Sequence, residues 1–273
     1  MTSAGRGALK CSLFLLPPAL LAVTFHLFGA EWGSALRRTF RPGPVTTTIA
    51  ENVYVVPDDR WGSVLSHFVE DYVSWVGRHD AQAGPTRLAL PAGLKGLRIV
   101  TMDPDTWAAF RPQAGTWPRH PGGHFDPANR QITLARAGTP EQALPALARE
   151  LALALLHAAG PGAAWSPWFA EGMSLYFQND KPDFGGRKMN LLAEARSGGA
   201  RPTLDRLLAA TLLDFQEPRT CAQAYSLYYY IASSPKFPEW SAEERRPGPA
   251  DPRAFARIFG GTVEKDWIEF LGK

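Results

Sequence analysis

The spacing of apolar positions changes several times along this chain, and each change marks an element. From Asp58 to Arg78, Trp61, Val64, Leu65, Phe68, Tyr72, Val73 and Val76 recur at steps of three and four, which predicts an amphipathic helix. His67 falls on its polar face and is expected at the surface. Ahead of it, Val45 to Val56 is β-branched and partly alternating, the pattern of a strand or hairpin. Thr86 to Leu90 and Leu97 to Met102 read as short strands. Asp103-Pro104 then opens a small helix through Trp107 and Phe110. Residues 120–135, HPGGHFDPANRQITLA, combine Gly-Gly and Asp-Pro turn chemistry with a strand at Gln131 to Ala135.

From Thr139 the period becomes helical and stays so. Thr139-Pro140-Glu141-Gln142 is a helix start, with Thr139 as N-cap, Pro at the first position and Gln at the third. Pro145 predicts a kink there, or a start delayed to Leu144. The helix runs to His157-Ala158 and stops at Gly160-Pro161. It is apolar nearly all round, so it is expected between layers. A second helix opens at Pro167-Trp168 and reaches Gln178. Arg187–Arg196, Leu204–Ala210, Cys221–Ser233, Pro252–Phe259 and Val263–Leu271 are further predicted helices, and Phe237–Ala250 reads as a polar, Pro-rich surface loop.

The amino terminus is of another kind. Cys11 to Ala30 carries no formally charged side chain, with Arg6 and Lys10 just before it. About 20 such residues suffice to cross a bilayer. An uncleaved membrane anchor is expected, with cleavage near Ala35 and secretion as the alternative. Arg6 and Lys10 on one side face Arg37, Arg38 and Arg41 on the other, so charge gives no clean orientation. A signal-like segment is expected to deliver the bulk of the chain to the extracytoplasmic side. Residues 1–41 are read as anchor and basic collar, and 42–273 as one domain.

Composition narrows the function classes. The chain has 273 residues with 29 Lys+Arg and 26 Asp+Glu, a net charge of +3, and no dense basic run, a balance that does not suggest a nucleic-acid binder. Of its two cysteines, Cys11 lies in the apolar segment, which leaves Cys221 without a partner and excludes a disulfide framework. His120 and His124 are four apart, but in a Gly/Pro loop that spacing puts no two ligands on one face.

The remaining candidate chemistry lies between Ala143 and Gln178. Pro167, Trp168, Glu171, Gly172, Tyr176 and Phe177 resemble the pattern P-x-W-x-x-E-G-x-x-x-Y-F of gluzincin-type zinc metallopeptidase-like domains, the bacterial peptidase MA-like family. The 122–135 segment is similar to the G-x-[FY]-D-P strand-turn-strand of that family. Cys221–Ser233 is similar to its later Tyr-bearing helix, so Tyr225 or Tyr228 is a candidate for the cleft, against a plain role in core packing. In intact relatives, as the resemblance implies, an H-E-x-x-H helix and a later glutamate hold zinc, and the glutamate beside the first histidine activates water. Aligned to that motif, Glu150 is the remnant general base and Glu171 the remnant ligand. Arg149 and Leu153 stand where the two histidines belong.

Leucine has no donor, and arginine is a fixed cation with no free lone pair. The zinc site is therefore expected to be dismantled and no cofactor is expected. His157 is the one histidine that could replace a ligand. It lies about 6 Å further along the helix axis than the usual second ligand, and a role at the carbonyl end of the helix fits it better. Without zinc a buried Glu171 is costly, so Arg149 is expected to pair with it, in bidentate fashion.

The expected architecture is α+β: a small amino-terminal mixed sheet with helices, then the metallopeptidase-like motif helices and a helical carboxyl-terminal part, preceded by a single membrane-spanning or signal segment. Three functions fit. The first is a membrane-anchored, exported pseudo-peptidase that binds a peptide or protein partner. The second is an active zinc hydrolase rearranged around Glu150, His157 and Glu171. The third is a purely structural or interaction protein. An open groove past Glu150 separates the first from the third.

Overall fold

A computed structural model describes residues 47–49, 53–55, 59–83, 88, 90–91, 94–110, 122–181, 187–197, 203–246 and 251–272. The expected anchor at 11–30, the collar and His120 lie outside the described residues. Among the described residues, no helix is long and apolar enough to cross a membrane.

The arrangement is α+β. Strands β1 (Thr47–Ile49) and β2 (Val53–Val55) form the antiparallel hairpin that the β-branched run predicts. Helix α1 (Asp59–Gln82) then crosses to β3 (Leu97–Met102), which pairs parallel with β2. A parallel pair needs such a crossover, because a tight turn returns the chain antiparallel. After the short α2 (Pro104–Phe110), β4 (Gly123–Asp126) and β5 (Gln131–Ala135) form a second hairpin. The sheet order is β1-β2-β3-β5-β4, with β3 and β5 parallel, so β4 is an edge strand.

Of the expected strand at Thr86–Leu90, the described residues Leu88 and Leu90 are held by a side-chain clamp. Leu88 and Leu90 donate their backbone N–H groups to the buried Asp80 carboxylate, at 2.6 and 2.9 Å, and lie in no strand. A carboxylate satisfies two amides there that a ladder would otherwise have to satisfy.

Helix α3 (Pro140–Ala159) is the hub. Arg149, Glu150 and Leu151 through Leu156 are all buried, as its uniformly apolar surface predicts. It runs through Pro145 rather than starting at Leu144, and at its start the Thr139 N–H donates to Gln142 Oε1 at 3.1 Å. Gln178 Nε2 donates to the Pro145 carbonyl at 2.7 Å, tying this turn to the next helix. That helix, α4 (Pro167–Asn179), packs on α3 on one side and on α7 (Pro218–Ala232) on the other. Gly172 makes the second contact possible. A Cβ there would run into the Ala224 carbonyl oxygen, so only hydrogen fits between α4 and α7.

Helices α5 (Arg187–Arg196) and α6 (Leu204–Leu208) precede α7, which a 3-10 turn at Asp214–Gln216 leads into. Helices α8 (Phe237–Glu244), α9 (Pro252–Phe259) and α10 (Val263–Gly272) complete the chain. Helix α8 corrects the expected surface loop over Phe237–Ala250. Phe237 and Trp240 are buried, and Trp240 packs on Trp168, Phe255 and Phe259. Two aromatic anchors outweigh the polar composition of the remaining positions.

Candidate functional site

The residues singled out by the motif resemblance converge where α3, α4 and the edge strand β4 meet. Arg149 and Glu150 are consecutive on α3, and Glu171 lies one turn into α4. Arg149 Nη1 donates to Glu150 Oε1 at 3.1 Å, and Nη2 donates to Glu171 Oε2. Arg149 is 2 % exposed, and Glu150 and Glu171 are each 1 % exposed. The expected bidentate pair is thus corrected: one guanidinium bridges two carboxylates, one prong to each. The planar fork of arginine reaches both, which a point-charge ammonium would do poorly. Arg149 Nε finds no hydrogen-bond partner among the described residues.

Glu150 has a second engagement. Its Oε2 accepts the backbone N–H of Phe125 at 2.8 Å. In an antiparallel ladder every second residue turns its N–H and C=O away from the partner strand. Phe125 is such a residue on β4, so Glu150 caps the free edge of the sheet. Gly123 lies beside it, and a Cβ there would stand 3.0 Å from Glu150 Cγ. Burial pushes the Glu150 carboxyl up to about 7, and the Arg149 charge holds it from rising further.

Leu153, singled out by the same resemblance, is fully buried in the core. His157 does not join the carboxylates. Its ring lies 5.5 Å from the Phe125 ring, half-buried, and burial lowers its pKa. Among the described residues, no group of three or more His, Cys, Asp or Glu side chains is placed to hold a metal ion. The side chains at the positions the resemblance singles out do not fit zinc: Arg149 and Leu153 offer it no donor, and the two carboxylates are tied to the guanidinium.

Tyr225 and Tyr228 are both buried on α7. Tyr228 packs its ring against Phe169, Tyr176 and Phe237, and Tyr225 stacks on Tyr229. Burial raises both phenols well above the usual range, so both stay protonated. His124, on β4, is half-buried beside Phe110, and burial lowers its pKa.

Sequence reasoning missed Cys221. Its thiol donates to the Phe215 carbonyl at 3.1 Å, and the field of Glu171 adds to burial in raising its pKa, while Arg149 opposes both. It therefore sits against the ion triad from the α7 side. A single thiol a long way along the chain from the motif carries no spacing signal that could have found it.

Scanned against models of known protein families and searched against curated proteins, the chain gives no match.

Proposed function

We propose that this chain is a membrane-anchored, exported domain of the gluzincin-like kind in which an internal guanidinium has taken the place of the metal. It acts as a pseudo-peptidase that binds a peptide or protein partner without cutting it. The observation that carries this reading is the Arg149 bridge between Glu150 and Glu171, with all three side chains almost wholly out of solvent. The carboxylate that would activate water instead accepts the Phe125 N–H and the Arg149 guanidinium. The carboxylate that would hold zinc is neutralised by the same cation. Water at neutral pH needs a Lewis acid to become a strong nucleophile, and nothing in this donor set would hold one.

A purely structural role is the second reading, favoured by the 1 % exposure of Glu150, which leaves no groove running past that side chain. Binding is preferred because a hollow opens one turn further along α3, lined by Phe125, Ala154 and His157. The deciding experiment measures zinc content and peptide cleavage for the purified full chain beside an Arg149→His/Leu153→His variant. Wild type should carry no stoichiometric zinc and cut nothing, and the double variant should gain about one zinc per chain. Stoichiometric zinc or cleavage in wild type would overturn the proposal.

A further inference from the structure

The hollow beyond the ion triad has a volume of about 380 Å³, within the usual ~300–1,000 Å³ of small-ligand sites. Leu94, Leu97, Phe125 and Ala154 give it apolar walls, and Arg130 and His157 are its two nitrogen-bearing side chains. We propose that it binds a carboxylate carried on an apolar body, with Arg130 as the anion anchor. This rests on the pseudo-peptidase reading only in treating the domain as a binder; its test reads ligand affinity, not metal or cleavage, so either can fail alone.

Three observations converge on Arg130. First, it closes the β4–β5 turn with φ at +49°, the one non-glycine residue with positive φ among the described residues. Glycine or asparagine would sit there without strain, so a long cationic side chain stands there at a conformational cost. Second, the turn fixes the backbone from which that exposed side chain starts. The Asp126 carboxylate accepts the N–H groups of Ala128 and Asn129 and the Asn129 side-chain amide. On the other side, the Arg130 carbonyl accepts Arg98 N–H at 2.9 Å. Third, the guanidinium lies at the hollow. A Cβ built on Gly96 would stand 3.9 Å from Arg130 Nη1, which sets the cation over the turn between Leu94 and Leu97.

Among the described residues, Arg130 forms no ion pair, and the nearest carboxylate in the turn, Asp126, is spent on backbone and amide donors. A guanidinium beside an apolar wall selects a planar anion with a hydrophobic neighbour. His157, its ring against Phe125, lines the same hollow. A phenyl or branched aliphatic group fits within the volume. The carboxylate has two sources, the free end of a peptide chain or a small apolar acid.

The test is calorimetric titration of the full chain in a nonionic detergent. The probes are acetyl-Ala-Ala-Phe as free acid and as amide, and 4-phenylbutyrate with its amide. Each acid should bind at least tenfold (about 1.4 kcal/mol) tighter than its amide. Arg130→Asn, which tolerates the positive φ, should erase that preference while leaving the circular dichroism unchanged. Ala158→Phe, which fills the hollow, should abolish binding of both acids. Peptide acid binding tightest points to a chain terminus, and equal binding points to a free acid; both support the proposal. Equal affinity for acid and amide, an acid preference that survives Arg130→Asn, unchanged binding in Ala158→Phe, or no binding of either acid would each overturn it.

Discussion

Arg149 is the side chain on which the centre depends. Removing one partner of a buried ion group leaves an uncompensated charge and costs about 3–5 kcal/mol, whereas replacing the whole group by neutral side chains is close to neutral. Arg149→Met should therefore unfold in denaturant with a stability lower by that amount. Adding Glu150→Gln and Glu171→Gln to it should restore most of the loss. A single variant as stable as wild type would mean the guanidinium carries none of the centre's charge balance.

Glu244 gives a second prediction at this scale. It is 1 % exposed, its Oε2 accepts Ser166 N–H at the start of α4, and its Oε1 has no partner among the described residues. Burial raises its carboxyl from 4.5 to about 7, with Glu243 adding repulsion. A raised acid holds its proton in the folded chain at pH values where the unfolded chain has released it. Its stabilisation is thus complete below about pH 4.5 and is lost as pH rises through about 7. Glu244→Gln keeps an acceptor for Ser166 and cannot ionise. It should exceed wild type by up to about 3 kcal/mol at pH 8 and match it near pH 4.5, measured by denaturant titration. A stability difference that does not change with pH would refute this. Glu150 slopes the same way, so wild type itself should weaken from pH 5 to 8.

Between elements, the α4–α7 contact is set by Gly172. Gly172→Ala would raise helix propensity on α4 alone, yet its Cβ meets a carbonyl oxygen and the Tyr228 Cβ at 2.8 Å. Overpacking of this kind costs roughly 1–3 kcal/mol, and a thermal melt should show a lower midpoint. A higher midpoint would mean the helices part without cost. Element types were largely legible from period and capping. Pro140, Pro167 and Gly160 mark helix ends by their own backbone chemistry. Where the described residues depart from expectation, the reason is tertiary. Leu88 and Leu90 surrendered their amides to Asp80, and α8 folded because Trp240 found Trp168 and Phe255.

At the scale of the whole molecule, membrane attachment is expected of residues 11–30 on length and apolarity. Full chain expressed in bacteria should stay in the membrane pellet through an alkaline carbonate wash, and a chain lacking residues 1–44 should appear in the wash. Full chain recovered in the wash would rule out the anchor.

By itself the sequence determined what chemistry is possible: which positions bear carboxylates, that Arg149 and Leu153 offer a metal no donor, and where apolar periods force helices to bury. These are local properties, carried by residue type and spacing. Only the tertiary structure decided what those groups do. That Arg149 bridges two carboxylates rather than gripping one, that Glu150 caps a strand edge, that Cys221 leans on the same triad and that Arg130 overlooks a hollow all depend on distances between segments far apart in the chain. Spacing along one helix cannot encode such distances, because they are set when α3, α4, α7 and the sheet pack together.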